Sequence, residues 1–348
     1  MSNYRMPGGS DMNSSSSGHN SMRPLNMCRV LVTPRSFRKV EASIRRLLET
    51  SVSEIVYNPK DRPLKAWELR ELLSDVDGYI AGLDEIDARA MEAADRLRVI
   101  ARYGTGTSNV DVGTATAKGI VVTNTPGANA TSVAELTVGL VLTLARSICN
   151  AGAATCRGEW PRADGWGLYG KTVGIVGLGA IGREVAFRLK AFGCELLACD
   201  PAPPWAFAKR HGVKMVSLDK MLPKCLIVTL HTPLLPTTRH MVDRSFLKQL
   251  GEGTILVNTA RAELIDKVAL IEALEEDRLG GVALDGCWEE PVDPTDPILG
   301  HPNVIVTPHM GAHTDNAVDA MGGMAVESCL TGLGGNLPPY AVNPEAWS

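Results

Sequence analysis

Three residues in the second half of the chain have the side chains needed to grip a small acid and move a proton on it. Arg261 lies in NTARAELID (258–266), Glu290 in LDGCWEEP (284–291) and His309 in TPHMGAHT (307–314). A guanidinium can hold a carboxylate in two parallel hydrogen bonds. An imidazole is the natural general acid/base near neutral pH. A carboxylate on its other ring nitrogen would fix the tautomer and raise its basicity. Taken singly, each residue reads as structural: an acid in a proline-rich loop is commonly just solvated. Their shared placement, each just beyond a predicted strand, gives the set its meaning.

GIVGLGAIG (174–182) carries Gly177-x-Gly179-x-x-Gly182. Alone the pattern is weak. Here it follows a predicted strand, opens a predicted helix (Arg183–Ala191), and is followed by Asp200 at the end of the next strand. Gly177 permits the tight turn, Gly179 lets backbone approach a pyrophosphate, and Gly182 lets helix and strand pack closely. The helix N-terminus adds unpaired N–H groups for the phosphates. Asp200 would accept hydrogen bonds from the adenosine ribose and repel a 2′-phosphate, which favours NAD over NADP. A bound hydride carrier needs a proton-transfer group and a substrate grip beside it, and the three residues above supply both.

The elements that must position these groups are short β-branched runs alternating with helical segments. RVLVT (29–33), EIVY (54–57), GYIA (78–81), RVIA (98–101) and IVVT (120–123) read as a first set of buried strands. KTVGIVG (171–177), CELLACD (194–200), CLIVTL (225–230), TILVN (254–258), GVALD (281–285) and NVIVT (303–307) read as a second set of six. Such alternation predicts parallel sheets covered by helices on both faces. Between the sets, NATSVAELTVGLVLTLAR (129–146) is apolar on nearly every face, which predicts a buried helix between domains or subunits, with Ser132 and Glu135 spaced as a capping box.

Length and composition agree with two domains: 348 residues, 45% hydrophobic and 21% charged. A formal net charge of −4 offers no basic surface for nucleic acid. The eight cysteines are scattered, without C-x-x-C or paired Cys/His spacing, so neither a metal site nor a disulfide framework is expected, and a reducing cytoplasm fits best. The most apolar run is too short to cross a bilayer. Residues 1–27 are rich in Ser, Asn, Gly and Met and read as a disordered tail.

These motifs, in this order, resemble the D-isomer-specific 2-hydroxyacid dehydrogenase family, and within it the D-3-phosphoglycerate dehydrogenase-like branch. The likeness runs from residue 28 to 345 and rests on RYGTGTSNVDVGTATAKGIVVTNTPGANATSVAEL (102–136), KTVGIVGLGAIGREVA (171–186), LHTPLLPTTRHMV (230–242) and the three blocks quoted first. It implies two similar parallel-sheet α/β domains, a Rossmann cofactor domain inserted into a flavodoxin-like substrate domain, usually in a homodimer. The substrate domain would span 28–126 plus 314–348 and the cofactor domain 127–313, with the crossings near 127 and 313.

The resemblance also implies roles. Arg261 would bind and polarise the substrate, His309 would be the acid/base, and Glu290 would orient it. Tyr103, Gly104, Thr105 and Gly106 would offer backbone N–H groups to the substrate carboxylate. Ala180 and Ile181 would join Gly177, Gly179 and Gly182 at the pyrophosphate, and Asp200 would face the ribose. Thr232 and Pro233 would line the adenosine side, with Thr259 and Asp285 near the nicotinamide, whose carboxamide Asp285 would meet.

Departures from the branch bear on the substrate. Phosphoglycerate dehydrogenases place an arginine after the strand equivalent to GYIA; this chain has Gly82, although Arg102 could contribute a charge. LDGCWEEP has Gly-Cys where Val and an aromatic are usual, and Trp288 is expected to refill that volume. No appended regulatory domain is expected. His231 and His240 read as loop residues, His313 as a cap for the following helix, and Trp160 and Trp166 as loop anchors. Formate and phosphite oxidation are disfavoured by the Glu–His pair and by the lack of lysine in 103–106. Three readings stay open: a phosphoglycerate-type dehydrogenase, a hydroxypyruvate- or glyoxylate-type reductase, and a NAD-sensing, corepressor-like binding protein.

Overall fold

A computed structural model describes residues 23–162 and 164–347. Two parallel sheets organise the chain. The first contains β1 (Arg29–Val32), β2 (Glu54–Tyr57), β3 (Gly78–Ala81), β4 (Val99–Arg102) and β5 (Val121–Thr123), in the order β2-β1-β3-β4-β5. The second contains β6 (Thr172–Val176), β7 (Glu195–Cys199), β8 (Lys214–Met215), β9 (Ile227–Leu230), β10 (Thr254–Asn258), β11 (Leu279–Asp285) and β12 (Val304–Thr307), in the order β12-β11-β10-β9-β6-β7-β8. Every neighbouring pair is parallel.

Eleven α-helices connect and cover the sheets among the described residues. They are α1 (Ala42–Ser51), α2 (Ala66–Leu73), α3 (Val112–Ala117), α4 (Ala130–Ala145), α5 (Ile148–Cys156), α6 (Ala180–Ala191), α7 (Trp205–His211), α8 (Leu218–Met221), α9 (Arg244–Gln249), α10 (Lys267–Glu275) and α11 (Asp315–Leu333). Parallel strands buried on both faces require a core on each side, and each sheet has two. On the first sheet Val30, Val32, Ile80 and Val99 pack under α11, while Leu31, Tyr79, Ile100 and Val122 pack on the opposite face with Leu69 of α2. The strand period of two sorts these neighbours to opposite faces. On the second sheet Val173, Ile175, Ile255 and Val257 meet α4 and α6; Val228, Leu230, Leu256 and Leu284 meet α9 and α10. Burying each such aliphatic side chain contributes about 1.5–3 kcal/mol relative to exposing it.

The chain leaves the first sheet after β5, builds the second, and returns through α11, which packs over β3, β4 and β5. Three details differ from the sequence reading. The second sheet has seven strands, because a two-residue edge strand (β8) is too short to leave a pattern. The expected tail includes ordered residues: Leu25–Met27 form a 3₁₀ turn, Leu25 packs against the first core, and the buried Cys28 thiol donates to the Pro24 carbonyl at 3.4 Å. Residues 1–22 of that tail lie outside the described residues. The capping box at Ser132 and Glu135 is absent: α4 starts at Ala130, Ser132 is already helical, and Glu135 pairs with Arg188 at 3.0 Å. Helix α4 lies on the second sheet, against α6, β10 and β11, and also touches α11.

Among the described residues no single helix is long and apolar enough to cross a membrane. All eight cysteines are free, and among the described residues no three His, Cys, Asp or Glu side chains converge to hold a metal.

Candidate active site

Ligands of open α/β sheets bind beyond the carboxyl ends of the strands. The carboxyl ends of both sheets face one cleft of about 850 Å³. Loops after β1, β3 and β4 form one wall; loops after β9, β10, β11 and β12, with the start of α6, form the other.

The glycine turn joins β6 to α6 as its spacing requires. Gly177 has φ +91°, and a Cβ there would meet the His231 carbonyl oxygen at 2.7 Å. A Cβ on Gly182 would fall 2.1 Å from the Gly177 carbonyl oxygen, so only glycine lets α6 lie this close. A Cβ on Gly179 would meet nothing within 4 Å, which leaves the helix N-terminus open to a ligand. Asp200 accepts the Leu178 N–H at 2.7 Å with Oδ2 and the Ala202 N–H at 2.8 Å with Oδ1, placing its carboxylate beside the turn. Ala180, Ile181, Thr232, Pro233, Thr259 and Asp285 all line the cleft. An open helix start, a turn only glycine can make and an acid at the next strand end are a donor set that fits a dinucleotide.

The same wall carries the proton-transfer candidates. His309 Nδ1 lies 3.0 Å from Glu290 Oε1 and 3.2 Å from Oε2. Burial would raise the Glu290 carboxyl, but the hydrogen bond and charge of His309, the Cys287 N–H and Arg261 together hold it below the usual range. His309 sits at φ +52°, a conformation that a non-glycine residue keeps only where surroundings enforce it. The enforcement comes from Asp285. Its Oδ1 accepts the Met310 N–H at 2.8 Å and the Thr307 hydroxyl at 2.7 Å, and its Oδ2 accepts the Gly311 N–H at 2.8 Å. From α4, the Ser132 hydroxyl donates to the Gly311 carbonyl at 2.5 Å. These clamps were not foreseen, because their partners are backbone groups delivered by distant loops.

Arg261 lines the same cleft, with Nη1 donating to the Ala260 carbonyl at 2.7 Å and Nε 3.4 Å from Ser108 Oγ. Burial lowers its pKa, against the pull of Glu263, Glu290 and Asp285. The 103–106 loop lies against it: a Cβ on Gly106 would fall 2.1 Å from Arg261 Nη2. Here the expectation needs correction. All four loop residues line the cleft, but the Tyr103 N–H already donates to the Ala81 carbonyl at 2.9 Å and the Gly104 N–H to the Arg102 carbonyl at 3.0 Å. The ring of Tyr103 is core, its hydroxyl donating to the Val318 carbonyl. Thr105 and Gly106 remain as the loop's candidate donors, and the Thr105 hydroxyl contacts Asn129 Oδ1 at 3.1 Å.

Two further imidazoles line the cleft. Burial pushes His231 down to about 3, so it stays neutral, with Nε2 2.9 Å from the Thr229 hydroxyl. His313 is lowered by burial, then by His309. It does not cap α11 as expected; the Thr314 side chain does, accepting from the Ala317 N–H. Only His309 among these three is paired with a carboxylate. Trp288 donates to the Ile265 carbonyl at 3.1 Å and packs on the second core, filling space beside Gly286 and Cys287. Trp166 packs against the neighbouring core, whereas Trp160 is 85% exposed in the single chain.

The pattern described as "D-isomer specific 2-hydroxyacid dehydrogenase, NAD binding domain" matches residues 138–311. The D-3-phosphoglycerate dehydrogenase of Methanocaldococcus jannaschii is 43% identical over 79% of this chain and 53% of its own length. The chain belongs to the D-isomer specific 2-hydroxyacid dehydrogenase family. The glyoxylate reductase of Korarchaeum cryptofilum is also similar, 38% identical over 79% of this chain and 85% of its own. Among solved structures, an NAD⁺-bound 3-phosphoglycerate dehydrogenase of Entamoeba histolytica superposes with a TM-score of 0.75 at 26% identity, covering 91% of this chain and 99% of the other. The chain spans about half the length of the phosphoglycerate dehydrogenases it matches in sequence, such as the Methanocaldococcus one at 53%.

Proposed function

We propose that the chain interconverts a small D-2-hydroxy acid and its 2-oxo acid with NAD. The observation that carries this reading is the two-oxygen contact of Glu290 on His309, with Arg261 lining the same cleft. NAD, when bound, supplies the hydride acceptor or donor. Glu290 holds the Nδ1 side of the imidazole, so Nε2 is the nitrogen left to exchange a proton with the substrate oxygen on C2. In the oxidising direction His309 takes the hydroxyl proton; in the reducing direction it gives one to the ketone. Arg261 grips the carboxylate and offsets negative charge growing on the C2 oxygen. Burial around Arg261 strengthens both effects by lowering the local dielectric.

For the substrate, the first reading is phosphoglycerate-type, supported by the names of the similar dehydrogenases. The second is an unphosphorylated oxoacid such as hydroxypyruvate or glyoxylate. It draws support from the similar glyoxylate reductase and from Leu83, which lines the cleft next to Gly82 where a phosphate-binding cation is expected. The test is NADH consumption with phosphohydroxypyruvate, hydroxypyruvate, glyoxylate and pyruvate, with His309→Ala as control. Turnover of any of them that the control loses supports the reading. NADH binding without turnover of these or other 2-oxo acids would overturn it in favour of a sensing role.

A further inference from the structure

Four arginines line the cleft: Arg35, Arg62, Arg102 and Arg261. Two are committed elsewhere. Arg62 makes two bonds of 2.7 Å to the largely buried Glu68. Arg102 is 3% exposed and donates to the Ala81 and Tyr103 carbonyls and to Asn109 Oδ1 at 3.0, 2.7 and 3.2 Å. Arg261 belongs to the reacting centre. Arg35 differs from these: its side chain is 62% exposed and, among the described residues, meets only Asp61, donating to its carbonyl at 2.8 Å and pairing at 3.0 Å with its carboxylate, itself 93% exposed. A solvated pair of that kind is easily exchanged for another anion.

The position of Arg35 matters as much as its freedom. Strand β1 is the neighbour of β3, and the loops after the two strands touch. The Gly82 N–H donates to the Thr33 hydroxyl at 2.9 Å, and a Cβ at Gly82 would lie 3.4 Å from the Pro34 nitrogen. Arg35 therefore follows directly on the segment that backs Gly82, where the sequence lacks the expected cation. Asp61 apart, the acid nearest Gly82 is already taken up. Asp84 is consumed internally, accepting from Thr33, from the Tyr79 hydroxyl at 2.8 Å and from the Gly82 and Leu64 N–H groups at 3.2 and 2.7 Å. On the facing side His313 lines the same cleft, near enough to Arg35 and Lys39 to feel both charges.

We propose that Arg35 binds a second anionic group at the far end of the 2-oxo acid, so the preferred substrates carry a terminal phosphate or carboxylate. This rests on the proposed dehydrogenase activity and narrows its substrate class. Neither the sheet pattern nor the motifs pointed to Arg35; its meaning comes from lining the cleft beside an empty position.

The test compares kcat/KM for matched pairs: phosphohydroxypyruvate against hydroxypyruvate, and 2-oxoglutarate against 2-oxopentanoate. The wild type should prefer one anionic member at least tenfold, and which pair shows it separates phosphate from carboxylate. Arg35→Gln should shrink that ratio at least tenfold, Arg35→Lys should retain most of it, and Asp61→Asn should raise it. A ratio near one in the wild type, or a ratio that survives Arg35→Gln, would overturn the proposal while leaving the dehydrogenase reading intact. Calorimetry with the NAD-loaded protein, comparing D-3-phosphoglycerate with D-glycerate, reads the same site without turnover. Arg35-dependent preference there, with no 2-oxo acid reduced, would sustain the anion site and overturn the activity instead. Equal affinities there, and between D-2-hydroxyglutarate and D-2-hydroxypentanoate, would count against Arg35.

Discussion

Glu290 and His309 meet through both carboxylate oxygens, at 3.0 and 3.2 Å from Nδ1, although the two residues come from different loops. An N–H aimed between two oxygens fixes ring rotation and tautomer together. His309→Gln should lower kcat by on the order of 10²–10⁴-fold, the usual worth of a positioned acid/base. Glu290→Gln should lower kcat less, with little change in NADH affinity. Steady-state kinetics and NADH titration check both; a His309→Gln variant at wild-type rate would remove the residue from the mechanism.

The same pair has a pH signature. Burial alone would raise the Glu290 carboxyl, yet His309, the Cys287 N–H and Arg261 outweigh it and the carboxyl lies below its usual range. A depressed acid stays ionised above the ordinary carboxylate range and loses its contribution only as pH falls through the lowered value. In His309→Ala the bond and charge of the imidazole vanish while burial remains, so the Glu290 titration should move upward. Carboxyl-carbon NMR, with Glu290→Gln for assignment, reads this; an unmoved titration would mean that His309 does not set it.

Arg261→Lys should not be a mild change. The guanidinium is held by the Ala260 carbonyl, lies against Gly106 and lines the cleft. A lysine ammonium offers a point charge without the fork. Loss of about 10²–10³-fold in kcat/KM is expected, from the scale of single oxyanion donors. Equal kcat/KM in the variant would show that charge alone suffices.

Much of this layout is legible in the sequence because strands and glycine turns are local. Each expected strand from RVLVT to NVIVT forms, since β-branched runs bounded by turns encode burial on both faces. What could not be read is set by distant backbone. The acceptor role of Asp285 needs Met310 and Gly311 brought to it, and the Ser132 hydroxyl turns from a cap into a clasp on Gly311. Tyr103 and Gly104 lose their expected N–H roles because β3 and the chain itself already take those donors. Arg35 sits in a basic turn, Arg35–Lys39, that looks like ordinary solvated surface until the cleft is seen.

Asp200 should govern the choice between dinucleotides. Its carboxylate is fixed by the Leu178 and Ala202 N–H groups beside the glycine turn, where a dinucleotide's ribose is expected to lie. Asp200→Asn keeps an acceptor and removes the charge, so the NADH-over-NADPH ratio of kcat/KM should fall. A ratio that does not move would place the ribose elsewhere.

Gly179 and Gly182 stand three residues apart in one turn, yet they should fail differently. At Gly182 a Cβ would press within 2.1 Å of the Gly177 carbonyl oxygen, so either α6 or the turn must shift. Gly182→Ala should cost about 1–3 kcal/mol or more of stability, as overpacking does, and cofactor binding should suffer with the fold. At Gly179 φ is −72° and a Cβ meets nothing within 4 Å, so alanine is sterically free in the empty protein. Its methyl would occupy the space where a pyrophosphate must approach the helix start. Gly179→Ala should therefore leave thermal unfolding unchanged while raising KM for NADH. Thermal melts with and without NADH separate the two: Gly182→Ala lowers the melt of the free protein, and Gly179→Ala lowers only the shift that NADH produces. If Gly179→Ala kept the full NADH shift, the phosphates would not lie at this turn, and the cofactor assignment of the loop would have to be redrawn.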